Sequence, residues 1–328
     1  MKTVKKLFSY DLTSVILPLI ALFVVLLIGS KGFLSAYNMI SVMQSVAIFV
    51  LMGLSQMSTL SLGQMNLALG AMGCLSAIMM GIFMQVLGLP MPVALVLGLL
   101  VALLLGAIQG VMIAKTGMSP FIITLALQSV FNGIPAVITK GGSYNELPEV
   151  IRTISRTQFG PVPLTFIISL VIVAIAFIVF HYTNIGRNLM AVGANKRAAK
   201  FAGINVDGTI ILGHALSGLF AGLCAFIQIC KFNSAQLAIG SDWMMTSFVV
   251  AVLGGTQLSG GKVSVIGTLL GSFLMVLINN ALGLWRVNTY LFQAIMGVLL
   301  LVAYEIDRMR LGMIKKQSII DSKEDEAA

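Results

Sequence analysis

Long apolar stretches, separated by short polar or glycine-containing segments, run along almost the whole chain. A helix needs roughly 20 apolar residues to cross the hydrocarbon core of a bilayer, and several stretches are that long. They lack the alternation of apolar and polar residues that is typical of a membrane β-barrel. The pattern therefore predicts an all-α integral membrane protein with about ten transmembrane helices. The ten predicted spans are Val15 to Ile28, Met39 to Met57, Leu62 to Met84, Val93 to Ala114, Phe121 to Thr139, Leu164 to Tyr182, Ile210 to Ile229, Trp243 to Leu253, Val263 to Leu282 and Tyr290 to Tyr304.

Two glycine-containing segments interrupt this pattern. The first reads SQMSTLSLGQMN (residues 55–66), and the second reads GGTQLSGGK (residues 254–262). Both contain Leu-Ser-x-Gly, and interrupted segments in two halves of a chain are typical of transporters built from repeats. We therefore expect broken or re-entrant segments and an internal pseudo-repeat, with the first break in the middle of the membrane.

Lysine and arginine are distributed unevenly when the chain is threaded with its N-terminus inside. Fourteen of the twenty fall on the inner side and six on the outer side, which predicts two cytoplasmic termini. Only 9% of the residues are charged, and this distribution accounts for the net charge of +9 without a nucleic-acid partner. The first span lacks the small-residue cleavage site of a signal peptide, so we expect it to remain as an anchor.

Ionisable side chains are almost absent from the predicted spans, with His214 as the exception. Because ion-coupled carriers use such groups, the composition argues against ion coupling, and we interpret His214 as a helix-packing hydrogen-bond donor. The segment around Lys262 resembles a phosphate-binding loop, but Thr256 and Val263 stand where that motif requires glycine and a hydroxyl. ATP hydrolysis is therefore expected on a separate polypeptide. We predict that the chain is not an enzyme and has no catalytic residues, cofactor or metal site.

Amide and hydroxyl side chains are the polar groups that the spans do contain. They offer hydrogen-bond donors and acceptors without net charge, which suits a path for a neutral, hydroxyl-rich solute. The alternative is that each of them holds one helix to another. The candidate pathway residues are Gln56, Thr59, Ser61, Gln64, Asn66, Asn132, Asn279 and Asn280.

The stretch NKRAAKFAGI (residues 195–204) predicts a two-turn amphipathic helix. Its cations lie within about 100° of arc in helical projection, opposite its alanines. Asn195 suits the N-cap and Gly203 the position after the helix end. So short a helix needs a partner, and we predict docking of its alanine face onto a cytoplasmic protein, with a solvated or lipid-contacting loop as the alternative. The predicted coupling residues are Asn195, Ala198, Ala199, Ala202, Gly203 and Ile204.

This stretch and its surroundings resemble the permease subunits of ribose-type ABC sugar importers. The family's cytoplasmic loop is matched by Gly186, Arg187, Ala191, Gly193, Asn195, Ala198, Ala199, Gly203 and Ile204. The resemblance continues through LSGLFAG (residues 216–222) and VLGGTQLSGGKVSVIGTLLG (residues 252–271) to Asn279 and Asn280. The chain departs from the family at Thr59, where an aspartate is usual, and at Lys196 and Arg197, where acidic residues are common.

The resemblance implies a single permease domain over residues 1–328, with a coupling loop at about 184–208 and a cytoplasmic tail at about 305–328. It implies ABC ATPase subunits, an extracytoplasmic solute-binding protein and a second permease chain, identical or different, as partners in the lipid bilayer of a bacterial inner membrane. The expected cargo is a sugar or sugar-like neutral solute. A passive channel or an ion-coupled secondary transporter for a neutral solute is the alternative.

Overall fold

The helices of this protein follow from its apolar runs. The computed structural model describes residues 10–30 and 32–287, and seven further positions between 291 and 305. Within these residues the chain is all-α apart from one small hairpin. The elements are α1 (Tyr10–Gly29), α2 (Ala36–Leu60), α3 (Leu69–Gly81, extended by a π-helical turn at Ile82–Val86), α4 (Met91–Thr116), α5 (Pro120–Thr139), α6 (Glu149–Arg156), β1 (Gln158–Phe159), β2 (Val162–Pro163), α7 (Leu164–Tyr182), α8 (Asn184–Ala194), α9 (Lys196–Phe201), α10 (Val206–Phe232), α11 (Trp243–Leu253) and α12 (Val265–Leu284).

Each of the first nine predicted spans overlaps a helix, which confirms the all-α membrane architecture. Seven helical segments of the described chain are long and apolar enough to cross a membrane: α2, α3 with its extension, α4, α5, α7, α10 and α12. The apolar part of α1 and all of α11 are shorter. The tenth predicted span, Tyr290 to Tyr304, lies largely outside the described residues, so the count of about ten remains a prediction.

The first break includes Gly63 as predicted, but it occupies only the later part of residues 55–66. The helix α2 continues through Gln56 and Thr59 to Leu60, and the non-helical segment follows a helix that is long enough to span by itself. The reason is local, because the Thr59 hydroxyl donates to the Gln56 carbonyl and the Ser58 hydroxyl to the Leu54 carbonyl. Such bonds let hydroxyl residues remain in a helix without opening it.

Helices α4 and α10 pack backbone to backbone through two Gly-x-x-x-Gly spacings. A Cβ at Gly106 would overlap the His214 carbonyl of α10, and a Cβ at Gly218 would overlap the Ala102 carbonyl of α4. Small residues at such spacings let membrane helices approach closely. This helix pair forms the frame on which the polar break segments rest.

The two predicted break segments meet each other. The Gly261 amide donates to the Ser61 carbonyl at 3.0 Å, and a Cβ at Gly63 would lie 2.7 Å from the Ser259 oxygen. Gly63, Gly260 and Gly261 all have positive φ, a conformation that glycine adopts without strain. The shared Leu-Ser-x-Gly segments therefore form one backbone-to-backbone junction, which we call the glycine junction (residues 61–63 and 259–261).

Candidate functional site

The helix α9 begins as its sequence predicts. The Asn195 side chain oxygen accepts hydrogen bonds from the backbone amides of Arg197 and Ala198, each at 3.0 Å. These amides have no partner inside the helix, so the asparagine supplies one. The predicted N-cap is confirmed.

The helix end is equally well defined. Gly203 has a φ of +80°, and its amide donates to the Lys200 carbonyl at 3.1 Å. The Ile204 amide donates to the Ala199 carbonyl at 3.0 Å, which completes the paired bonds of a Schellman motif. Both ends of this two-turn helix are thus fixed by the chain itself.

The alanine face of α9 is only partly available to a partner. Ala198 and Ala202 are exposed, but Ala199 is 4% exposed and packs in the main apolar core. The prediction that the Ala199 side chain meets another protein is therefore wrong. A helix of two turns is unstable without packing, and the small side chain of Ala199 lets α9 lie close to α8 and α10.

The outward face of α9 is aromatic and basic. Phe201 is 93% exposed, and Lys196, Arg197 and Lys200 are all exposed. At 100° per residue, Arg197 and Phe201 lie nearly opposite the buried Ala199. Phe201 was not predicted from the sequence. Its position nearly opposite Ala199 on the helix would have identified it as outward-facing once Ala199 was placed inward.

An open pocket lies beside this face, with a volume of about 440 Å³. Lys196, Arg197 and Lys200 line it together with Ile204 and Asp207. The Asp207 carboxylate pairs with Lys115 at 3.1 Å, and none of the three α9 cations has an ion-pair partner within the part of the chain that the structure describes. The pocket is therefore rimmed by three uncompensated positive charges.

The segment that carries α9 rests directly on the glycine junction. A Cβ at Gly193 of α8 would overlap the Ser61 carbonyl oxygen, and a Cβ at Gly261 would lie 2.9 Å from the Ala194 Cβ. Leu189 and Val192 are fully buried beneath this contact. These contacts connect α9, through α8, to both break segments.

Five of the predicted pathway residues are buried, and their side chains bond within the chain. Gln64 accepts from His214 Nε2 at 2.8 Å, and His214 Nδ1 is 2.7 Å from Gln109 Nε2. This chain of bonds links the glycine junction to α10 and α4. It confirms His214 as a helix-packing residue and assigns Gln64 the same role.

Asn66 and Gln56 form a second buried group. The Asn66 amide donates to the Ser217 hydroxyl at 2.9 Å, and the Gln56 amide, oriented to match its neighbours, pairs with the Asn66 backbone nitrogen and oxygen. Ser61 donates to the Ser58 carbonyl at 2.6 Å. In this structure Gln56, Gln64 and Asn66 bond to other segments, whereas Thr59 and Ser61 bond to carbonyls three residues earlier in the chain. All five are buried, and their place in the solute path remains a prediction.

The late asparagines do line a pocket, of about 320 Å³, between the ends of α2 and α12 that lie farthest from the glycine junction. Asn38 and Asn280 donate to each other's side chain oxygens at 3.1 and 2.7 Å. Asn279, Ser41 and Ser45 complete the polar wall, and Lys231 Nζ donates to the Ser45 hydroxyl at 3.0 Å. We call this the amide pocket.

Asn279 and Asn280 were predicted from the sequence, but Asn38, Ser41 and Ser45 in the same pocket were not. These three lie near the start of α2, about 240 residues away in the chain, and only the folded structure brings them to α12. Asn132 lies on the exposed face of α5, away from the pocket lining, and its role in the pathway remains a prediction.

The chain matches the family described as "Branched-chain amino acid transport system / permease component" over residues 38–304. It belongs to this permease family. The match covers α2 to α12 and therefore includes both the α8–α9 segment and the amide pocket.

Curated relatives of this permease are components of import systems. The ribose import permease protein RbsC of Bacillus subtilis is 30% identical over 89% of this chain and 92% of its own length. The D-allose transport system permease protein AlsC of Escherichia coli is 30% identical over 86% of both chains. The autoinducer 2 import system permease protein LsrD of Salmonella paratyphi B is 28% identical over 73% of this chain and 74% of its own length. No solved structure matches the chain.

These relatives confirm the resemblance to ribose-type permeases and make this chain a transmembrane permease of an ABC importer. As relatives they are transport proteins and not enzymes. The permease is therefore a multi-pass membrane protein whose α9 and amide pocket lie at opposite ends of α2, a helix roughly 37 Å long.

Proposed function

We propose that this permease imports a sugar or sugar-like neutral solute, powered by a separate ATPase. Relatives at about 30% identity that are named for ribose and D-allose support the sugar class. The single structural observation that carries the proposal is α9, a helix capped at both ends that presents Phe201 outward and rests on the glycine junction. A passive channel or an ion-coupled carrier has no need of such a helix.

In this proposal the amide pocket is a polar part of the solute path. Asn38, Asn279 and Asn280 carry neutral donors and acceptors, and Ser41 and Ser45 add hydroxyl groups. Such groups match sugar hydroxyls without favouring a charge. Lys231 Nζ donates to the Ser45 hydroxyl, and the Ser45 hydroxyl in turn donates to the Ser41 carbonyl, so this hydroxyl is held in a fixed orientation in the pocket wall.

Coupling starts at the opposite end of the molecule. An ATPase that binds the Phe201 face would move α9 as it closes, and α8 would carry that movement onto the glycine junction. Because the junction joins the end of α2 to the segment before α12, the two helices that line the amide pocket would move together. Alternating access is then a shift between two packed arrangements.

The assembly that we propose has two permease chains, identical or different, two ATPase subunits and an extracytoplasmic binding protein. The chain is one permease domain over residues 1–328 with about ten spans, set in a bacterial inner membrane with both termini cytoplasmic. The proposal includes two related halves, for which the Leu-Ser-x-Gly sequence shared by the two break segments is the support. The outer segment from Lys140 to Pro163 is the proposed receiver of the binding protein.

Uptake by proteoliposomes tests this proposal. The permease is reconstituted with the ATPase and the binding protein encoded beside it, and a panel of labelled neutral sugars is supplied outside with ATP inside. We expect accumulation of at least one sugar above its external concentration, dependent on ATP and insensitive to sodium and proton ionophores. Equilibration without ATP would establish a passive channel, and loss of uptake with an ionophore would establish an ion-coupled carrier.

A further inference from the structure

We infer that the outward face of α9 selects an ATPase whose docking cleft is apolar at its base and rimmed by carboxylates. This inference rests on the proposed function, and it adds the chemistry of the partner surface. The face consists of Phe201 at its centre with Arg197 beside it and Lys196 and Lys200 along one edge.

Phe201 is the anchor of this surface. At 93% exposure its ring has almost no contact with its own chain, although apolar burial favours folding or binding by roughly 25 cal/mol per Å². It projects from a helix with both ends capped, so little conformational freedom is lost when it binds. Large, rigid side chains that insert into a partner's pocket carry most of the energy of an interface.

The rim of the surface is basic. Lys196, Arg197 and Lys200 have no carboxylate within ion-pair distance in the described residues, since Asp207 is taken by Lys115. Three cations on one side of an anchor steer an acidic partner and repel a basic one. Their place beside the 440 Å³ pocket leaves room for acidic side chains of the partner to enter.

The alternative occupant, an anionic lipid surface, fits the helix less well. Interfacial helices bury a wide apolar face in the headgroup region, but α9 has six residues and a single large apolar side chain. Its exposed alanines, Ala198 and Ala202, leave a shallow flank beside Phe201. A flank of this kind suits the close approach of a protein backbone.

Photo-crosslinking in native membranes tests which occupant is present. The full chain, with Phe201 replaced by p-benzoylphenylalanine, is co-expressed with the ATPase encoded beside it and irradiated. We expect an adduct with the ATPase, and mass spectrometry should place at least two Asp or Glu residues around the crosslinked segment. An adduct only with lipid, or with an ATPase surface that lacks carboxylates, would overturn the inference.

Charge reversal tests the rim. Arg197→Glu should weaken ATPase binding about tenfold, and an acid-to-lysine change at the crosslinked carboxylate should restore most of it. Phe201→Ala should weaken binding by at least about tenfold, whereas Phe232→Ala, at an exposed phenylalanine at the end of α10, should leave it unchanged. Equal binding by wild type and Arg197→Glu would overturn the charge selection.

Two controls separate the possible failures. The wild-type complex must show ATP-driven uptake, and absence of uptake with intact ATPase binding would overturn the proposed function but not this surface. Removal of residues 321–328, which carry Asp321, Glu324, Asp325 and Glu326, tests the chain's own acidic residues as the occupant. If the effect of Arg197→Glu disappears in the truncated chain, the cations pair with that segment and the inference is wrong.

Discussion

The two polar regions of this permease contain the same kinds of side chain but arrange them differently. Around the glycine junction, Gln64 and Asn66 are almost completely buried and bond to His214 and Ser217. In the amide pocket, Asn280 is half-buried, bonds to Asn38 and lines an open volume. An amide side chain enclosed by three segments therefore hydrogen-bonds these segments to one another. An amide side chain between only two helices remains open on one side and lines a pocket.

The largest difference in stability between the two regions is expected when a glycine in each is replaced by alanine, which adds one methyl group. Gly193→Ala places a Cβ against the Ser61 carbonyl, which cannot move without opening the glycine junction. We expect a loss of about 3 kcal/mol of stability and little folded protein, although alanine is ordinarily the better helix residue. The midpoint of thermal unfolding in detergent measures this.

Gly283→Ala is the matched control, because Gly283 lines the amide pocket and nothing lies within 4 Å of its Cβ position. It should unfold at the wild-type temperature or slightly above. Similar losses for both variants would contradict the distinction between the two regions.

The chain has two histidines, which permit an intermediate test. His214→Leu leaves Gln64 and Gln109 without their shared partner in a dry environment, and we expect a loss of about 2 kcal/mol. His181→Leu changes an exposed side chain at the end of α7 and should cost less than about 0.5 kcal/mol. Denaturant titration of both variants, by tryptophan fluorescence, gives the difference.

We also expect His214→Leu to reduce the maximal uptake rate, because α4 and α10 lose their hydrogen-bonded connection to the glycine junction. Wild-type stability in this variant would mean that the buried bonds contribute nothing, and the interpretation of Gln64 as a helix-packing residue would fail.

The smallest effect on stability is expected in the amide pocket. Asn280→Leu should change stability by less than about 1 kcal/mol, because interhelical hydrogen bonds in membranes contribute about 0.6 kcal/mol on average. Uptake should nevertheless fall about fivefold, which corresponds to one lost hydrogen bond to the solute in its passage. The measurement is initial uptake rate per folded permease.

Asn38→Leu serves as the companion variant, since Asn38 is the partner of Asn280. The uptake rate of the double variant should be no lower than that of either single variant, because each change already removes the Asn38–Asn280 pair. Additive losses would show that the two residues act separately, and normal uptake by all three variants would remove the pocket from the proposed path.

Local features of this fold could be predicted from the sequence, because local chemistry determines them. The apolar runs located helices at the first nine predicted spans, seven of them long enough to cross a membrane, and Asn195 and Gly203 marked the ends of α9, since caps depend on neighbours within four residues. Glycine content also located both break segments, although the first break begins only after α2 has ended.

Long-range contacts explain what the sequence could not reveal. Gln64 joins two segments because it bonds to His214, 150 residues away in the chain. Asn280 lines a pocket because it faces Asn38, 242 residues away. The orientation of α9 likewise depends on packing, because an alanine face and a basic face are equally plausible outward faces until Ala199 is found buried.

The reciprocal bonds between Asn38 and Asn280 also limit how tightly the amide pocket can hold its cargo. A vicinal diol can bond to the N–H and the oxygen that each asparagine uses in this pair, but its entry breaks both Asn–Asn bonds and the diol's own bonds to water. Such an exchange is nearly neutral in free energy. In the proposed import, the pocket would consequently allow transit rather than capture, and tight recognition of the solute would fall to the proposed binding protein.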